Sequence, residues 1–187
     1  MSAWSWWNSP VQLSPLQLLE FAFEEVSIKT ILRFEGKRHE PGFVTAPGDL
    51  RMRADTGIAL LADHAKYSDF GLKLLLSVEP KEPNSAPYEA NVGVRGTFRM
   101  HQMADMKDGD DRRKRALVNG VSILYGLVRD MVCTVTSRSS HGQMLLPTLN
   151  FASLVNQSPE SLGPASASPP AAQRRKARTK SAAVERK

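Results

Sequence analysis

The apolar positions of this chain follow two periods, one after the other. Through the first hundred residues they alternate with polar or small neighbours, the mark of strands with one buried face. Phe21 and Phe23 set the phase, and Val26 and Ile28 resume it after a one-residue shift at Glu24-Glu25, which predicts a bulge or a change from helix to strand. Ile58, Leu60 and Ala62 give a second run. Leu72, Leu74, Leu76 and Val78, with Lys73 and Ser77 between them, give the cleanest one. Leu75 breaks its polar face and is for that reason a candidate contact. Beyond Pro80, Pro83 and Pro87, the residues Ala90, Val92, Val94, Gly96, Phe98 and Met100 alternate with polar ones, so the last two strands form a hairpin. Two segments depart from the pattern. Ser14-Pro15-Leu16-Gln17 reads as the start of a short helix, and Glu35 to Asp55, rich in Gly, Pro and charge, reads as a long loop.

After His101 the period lengthens. Leu117, Val121, Leu124, Val128, Met131 and Val135 recur at three- and four-residue steps, and Val118, Ile123, Leu127 and Val132 widen the stripe. The predicted helix begins at Asp110 or Asp111 as its cap. One sheet would not occupy so wide an apolar face, so a second packing partner is expected, most simply another copy of the chain. Gly120, Leu124, Leu127, Val128 and Met131 are the expected oligomer interface. A loop follows with the run Met144-Leu145-Leu146-Pro147, and Asn150 can cap a short last helix. The fold class is α+β, a four-stranded antiparallel sheet covered by a long C-terminal helix and a short last one.

Composition alters this picture only at the ends. The net charge of +6 is concentrated in the tail: from Pro159 onward seven basic residues face two acidic ones, a balance of +5 that leaves +1 for the rest. A disordered basic tail is expected over 158–187, a folded domain over 14–157 and an N-terminal arm over 1–13. Trp4, Trp6 and Trp7 lie in that arm, which is expected to dock aromatics on its own core or on a sister subunit. The tail could hold phosphates through Arg174, Arg175, Lys176, Arg178 and Lys180, which makes a nucleic-acid adaptor the rival reading. Cys133 is the only cysteine and cannot close an internal disulfide. With neither a secretion signal nor some eighteen consecutive apolar residues, the expectation is a cytoplasmic protein without membrane insertion. His39, His64, His101 and His141 are far apart in sequence, and Gly120-Val121-Ser122 continues as Ile-Leu rather than as a nucleophile elbow. No enzyme and no cofactor are expected. Asp105, Asp108, Asp110 and Asp111 lack the positional pattern of a calcium loop.

Against this background Ile123-Leu124-Tyr125, Arg129-Asp130, Thr136-Ser137-Arg138 and Leu145-Leu146-Pro147-Thr148-Leu149-Asn150-Phe151 resemble, in order and spacing, the C-terminal half of the SecB export chaperone family. The chain departs from the family at Gly126-Leu127 and His141-Gly142. The resemblance implies a dimer of dimers, a homotetramer, joined through the long helix. It also implies an ATP-independent holdase that binds unfolded polypeptides in apolar grooves and hands them to the SecA export motor; some members serve toxin-antitoxin pairs instead. The expected client lining is Phe21, Phe23, Leu75, Tyr125, Met144, Leu145 and Leu146.

Overall fold

The computed structural model describes residues 13–32, 34, 50–103, 106 and 108–156, with side chains as far as Leu154. The expected tail and most of the arm and of the first loop lie outside the described residues. Four strands, β1 (Leu16–Thr30), β2 (Leu50–Asp63), β3 (Tyr67–Pro80) and β4 (Tyr88–His101), precede one long helix, α1 (Gly109–Thr136), and a 3-10 turn at Ala152–Asn156. The strands form one antiparallel sheet in the order β1-β4-β3-β2, so β1 and β2 are its edges.

The sheet's cross-strand rows explain its core. Leu72 faces Ile58 and Gly96, Leu74 faces Thr56 and Val94, and Leu76 faces Ala54 and Val92. Every side chain of the alternating run Leu72, Leu74, Leu76 and Val78 is buried, as are Val92, Val94, Phe98 and Met100 beside it. Each such side chain contributes about 1.5–3 kcal/mol by leaving water. The hairpin between β3 and β4 and the bulge after Phe23 agree with the alternation in the sequence.

Three boundaries differ from the sequence expectation. Residues 14–17 do not start a helix. Ser14 Oγ accepts from the Leu16 amide at 3.3 Å, while the Pro15 carbonyl accepts from the His101 amide at 2.9 Å and extends the ladder to β4. Pairing along fifteen residues overrides a local capping signal. Strand β2 begins at Leu50, so that residues 50–55 of the predicted loop are strand. The cap of α1 is Asp108, whose carboxylate accepts from the Asp111 amide at 2.8 Å. Asp110 and Asp111 occupy the first turn and pair with Lys114 and Arg115 one turn on, at 2.7 and 3.5 Å. These acidic residues thus support the helix terminus.

Helix α1 lies across β3, β4 and β1, burying Leu117, Val121, Leu124, Val128 and Val132. By length and composition alone it could cross a membrane, but this apolar stripe is spent on the sheet. Arg112 ties its first turns to the β2–β3 corner, donating to Ser68 Oγ at 2.9 Å and lying 3.5 Å from Asp63.

Candidate functional site: an apolar shelf on the edge strand

Where the sheet ends at β1, its apolar face outruns its cover. The row Ile58, Leu72, Gly96 continues to Phe21, and the row Leu74, Val94 continues to Phe23. Val26 stands opposite Val92 and Ile28 opposite Ala90. These four side chains therefore share the face on which α1 lies. The helix packs closely over Gly96, where an added Cβ would stand 3.1 Å from Leu124 Cδ2. One strand further out, Phe21 is 47% exposed and Val26 43%. The rings of Phe21 and Phe23 meet edge to face with centroids 6.0 Å apart, and Phe23 is half-buried against the core. Together with Leu18 and Ile28 they form a continuous apolar shelf beside a strand edge that, among the described residues, pairs with no further strand.

The opposite edge is built differently. On the same face β2 presents Leu50, Met52, Ile58 and Leu60 around a middle of Ala54 and Thr56, and Leu50 and Ile58 are buried. Of the two edge strands, only β1 places aromatic rings on this face. Two leucine doublets went unread as surface in the sequence: Leu18-Leu19 and Leu60-Leu61 both fall at register shifts, and Leu19, Leu60 and Leu61 are 49%, 58% and 58% exposed. Adjacent apolar residues in a strand cannot both face the core, which is the signal that would have found them.

The remaining expected client residues are placed elsewhere. Leu75 lies on the opposite face of the sheet, half-buried, near Gly93 and Glu25. Tyr125 is buried; its hydroxyl donates to the Pro147 carbonyl, its ring meets Phe151 at 5.4 Å, and burial pushes its phenol up to about 12. Met144 and Leu146 are 0% and 1% exposed, so the expectation that this run faces outward is corrected. Only Leu145 between them reaches partly to solvent.

The physical reason is a loop pinned at three points. Tyr88 donates to the Gly142 carbonyl at 2.8 Å, the Met144 amide donates to Thr136 Oγ1 at 2.8 Å, and Tyr125 holds Pro147. The extended backbone between these anchors turns alternate side chains inward. At Gly142 the backbone has φ +80°, which favours glycine, and His141 packs between Phe34 and Tyr88 at 5.5 and 6.0 Å. The His141-Gly142 departure is thus a local solution for anchoring the loop.

The expected oligomer interface also divides. Gly120, Leu124 and Val128 are buried against the chain's own sheet, because α1 descends closely onto Leu72 and Gly96. Leu127 and Met131 are half-buried. With Ile123 and Val135, 38% and 37% exposed, they make a ridge at four-residue steps along one flank of the helix.

Comparison with protein families finds no family that matches this chain, and no curated protein matches it either. Among solved structures, similarity is found to a SecB-like chaperone of Mycobacterium tuberculosis in complex with a peptide from an antitoxin. That match has a TM-score of 0.46 and 16% identity, and covers 72% of this chain and 90% of the other. A protein of unknown function from Streptococcus agalactiae matches with a TM-score of 0.45 and 9% identity, covering 72% of this chain and 97% of that one.

Proposed function

We propose that this protein is an ATP-independent holdase that takes up unfolded polypeptide along the β1 shelf. The observation that carries the reading is the exposure of Phe21 and Val26 on the core-facing side of an edge strand. Such surface is costly to leave in water and is available to any chain that brings apolar side chains to it. Burial there contributes roughly 25 cal/mol per Å² and asks for no particular sequence. Affinity then grows with the length of client laid down rather than with any single contact. The SecB-like motifs of α1 and the following loop support the same reading. In this account their residues hold the scaffold, and β1 meets the client.

The ridge Ile123, Leu127, Met131 and Val135 is the place for a second copy of the chain. Assembly through it would set two shelves on one particle and lengthen the surface open to a client. The motifs allow two physiological settings, export and toxin-antitoxin control. Co-purification of the full chain with either an export motor or an antitoxin separates them.

The test is light scattering by a chemically unfolded test protein diluted into buffer. The wild-type chain suppresses the scattering, and the Phe21→Ser, Val26→Ser double variant loses that suppression while keeping its circular dichroism and its oligomeric state. Equal suppression by both proteins would overturn the assignment of the shelf.

A further inference from the structure

On the face of the sheet turned away from α1, a groove of about 400 Å³ crosses the middle of the strands. Its floor is almost bare of side chains: Gly57, Ala59, Gly71 and Ala22 line it. A Cβ added to Gly57 would meet nothing within 4 Å, and one added to Gly71 would rest 3.4 Å from Leu61. Leu61 forms a wall and is 58% exposed. The rim is charged and two-sided. Lys73 and Arg95 stand in cross-strand register, both drawn to Glu24 at 2.6 and 3.7 Å. At the next row Glu20 accepts from the Thr97 hydroxyl at 3.0 Å.

A bare apolar floor, cations beside it and a carboxylate at the edge together suit one kind of group. A flat ring with an apolar body and a single N–H donor would bury its faces on the floor, meet a cation over its π-system and donate to the carboxylate. That group is an indole. The chain has three, Trp4, Trp6 and Trp7, all in the twelve residues before the described structure begins. Those residues join β1 at the near end of the groove's face, because Gln17, paired with Arg99, lies one row from Glu20, paired with Thr97. Rows on one face are about 7 Å apart and adjacent strands about 5 Å. The nine residues from Leu13 back to Trp4 span up to about 30 Å when extended, enough to turn over the strand and reach the floor. Leu13 itself is 89% exposed.

We propose that residues 1–12 fold back over the outer face of their own chain and seat an indole in this groove. The arm then occupies the face opposite the β1 shelf.

Intrinsic tryptophan fluorescence of the full chain tests this directly, since every tryptophan of the protein lies in the arm. The wild-type protein is expected to emit at shorter wavelength than free indole and to resist acrylamide quenching, unchanged on dilution. Gly57→Leu fills the floor without displacing a neighbour, and Leu61→Ser removes the wall. Each is expected to shift emission to the position of free indole and restore quenching, with unaltered far-ultraviolet circular dichroism. Free-indole emission from the wild type would overturn the proposal, as would protected emission that survives both folded variants. Protection lost on dilution would assign the groove to a second copy's arm and overturn it as well.

Discussion

A Cβ added to Gly120 would stand 2.1 Å from Cδ1 of Leu72, the closest approach any described glycine makes to a neighbouring side chain. The helix reaches the sheet at that depth only because position 120 is bare. Gly120→Ala would gain about 1 kcal/mol of helix propensity and incur about 1–3 kcal/mol of overpacking, so it is expected to destabilise. Gly126 is the internal control. It lies on the exposed side of the same helix with nothing within 4 Å of its Cβ position, and Gly126→Ala is expected to stabilise by about 0.5–1 kcal/mol. Urea unfolding of the two variants should move the midpoint in opposite directions.

Tyr125 gives the fold an alkaline limit. Its folded-state value of about 12 lies above the ordinary 10.0 because burial disfavours the phenolate. The folded state therefore holds this proton more tightly than the unfolded state. That contribution is complete below pH 10 and is lost as the pH rises through 12. Tyr125→Phe should cost about 1 kcal/mol at neutral pH through the lost hydrogen bond to Pro147. Stability measured against pH between 10 and 12 should fall more steeply for the wild type than for this variant.

Within the Leu145-Leu146 pair, the two residues should respond unequally. Leu146 is 1% exposed, and Leu146→Ala is expected to cost about 2–5 kcal/mol as a cavity. Leu145→Ser should cost less than about 1 kcal/mol. Thermal unfolding of the two single variants measures the difference. Comparable losses would mean that the pinned loop does not set the inward and outward alternation.

How far the sequence carried can be judged at particular residues. The two central strands and the long helix were legible because Leu72 to Val78, Ala90 to Met100 and Leu117 to Val135 each keep one period over many residues. The edge strand was half legible: Phe21, Phe23 and the shift at Glu24-Glu25 were visible, but its start was hidden by a capping signal at Ser14-Pro15. What decided it was the pairing of Leu16 with Met100, eighty-four residues away. The functional surface was the least legible part. Met144-Leu145-Leu146 and Phe21-Ala22-Phe23 are both apolar runs, and local pattern cannot say which one the fold will cover. Three distant hydrogen-bond partners, Tyr88, Tyr125 and Thr136, turn the first inward. The second stays partly open: α1 reaches β1 but leaves Phe21 and Val26 exposed along it. Gly120, Leu124 and Val128 illustrate the same limit, since a wide helical stripe does not reveal which flank meets the sheet and which meets a partner.

The central claim is that unfolded polypeptide is bound on the helix-side face of β1. Site-specific photocrosslinking measures this most directly, with a photoreactive phenylalanine analogue placed at Phe21 in one protein and at Leu75, on the opposite face, in another. Illumination in the presence of an unfolded client should give abundant adducts from position 21 and few from position 75. Adducts from position 75 alone, or equally from both, would contradict the account.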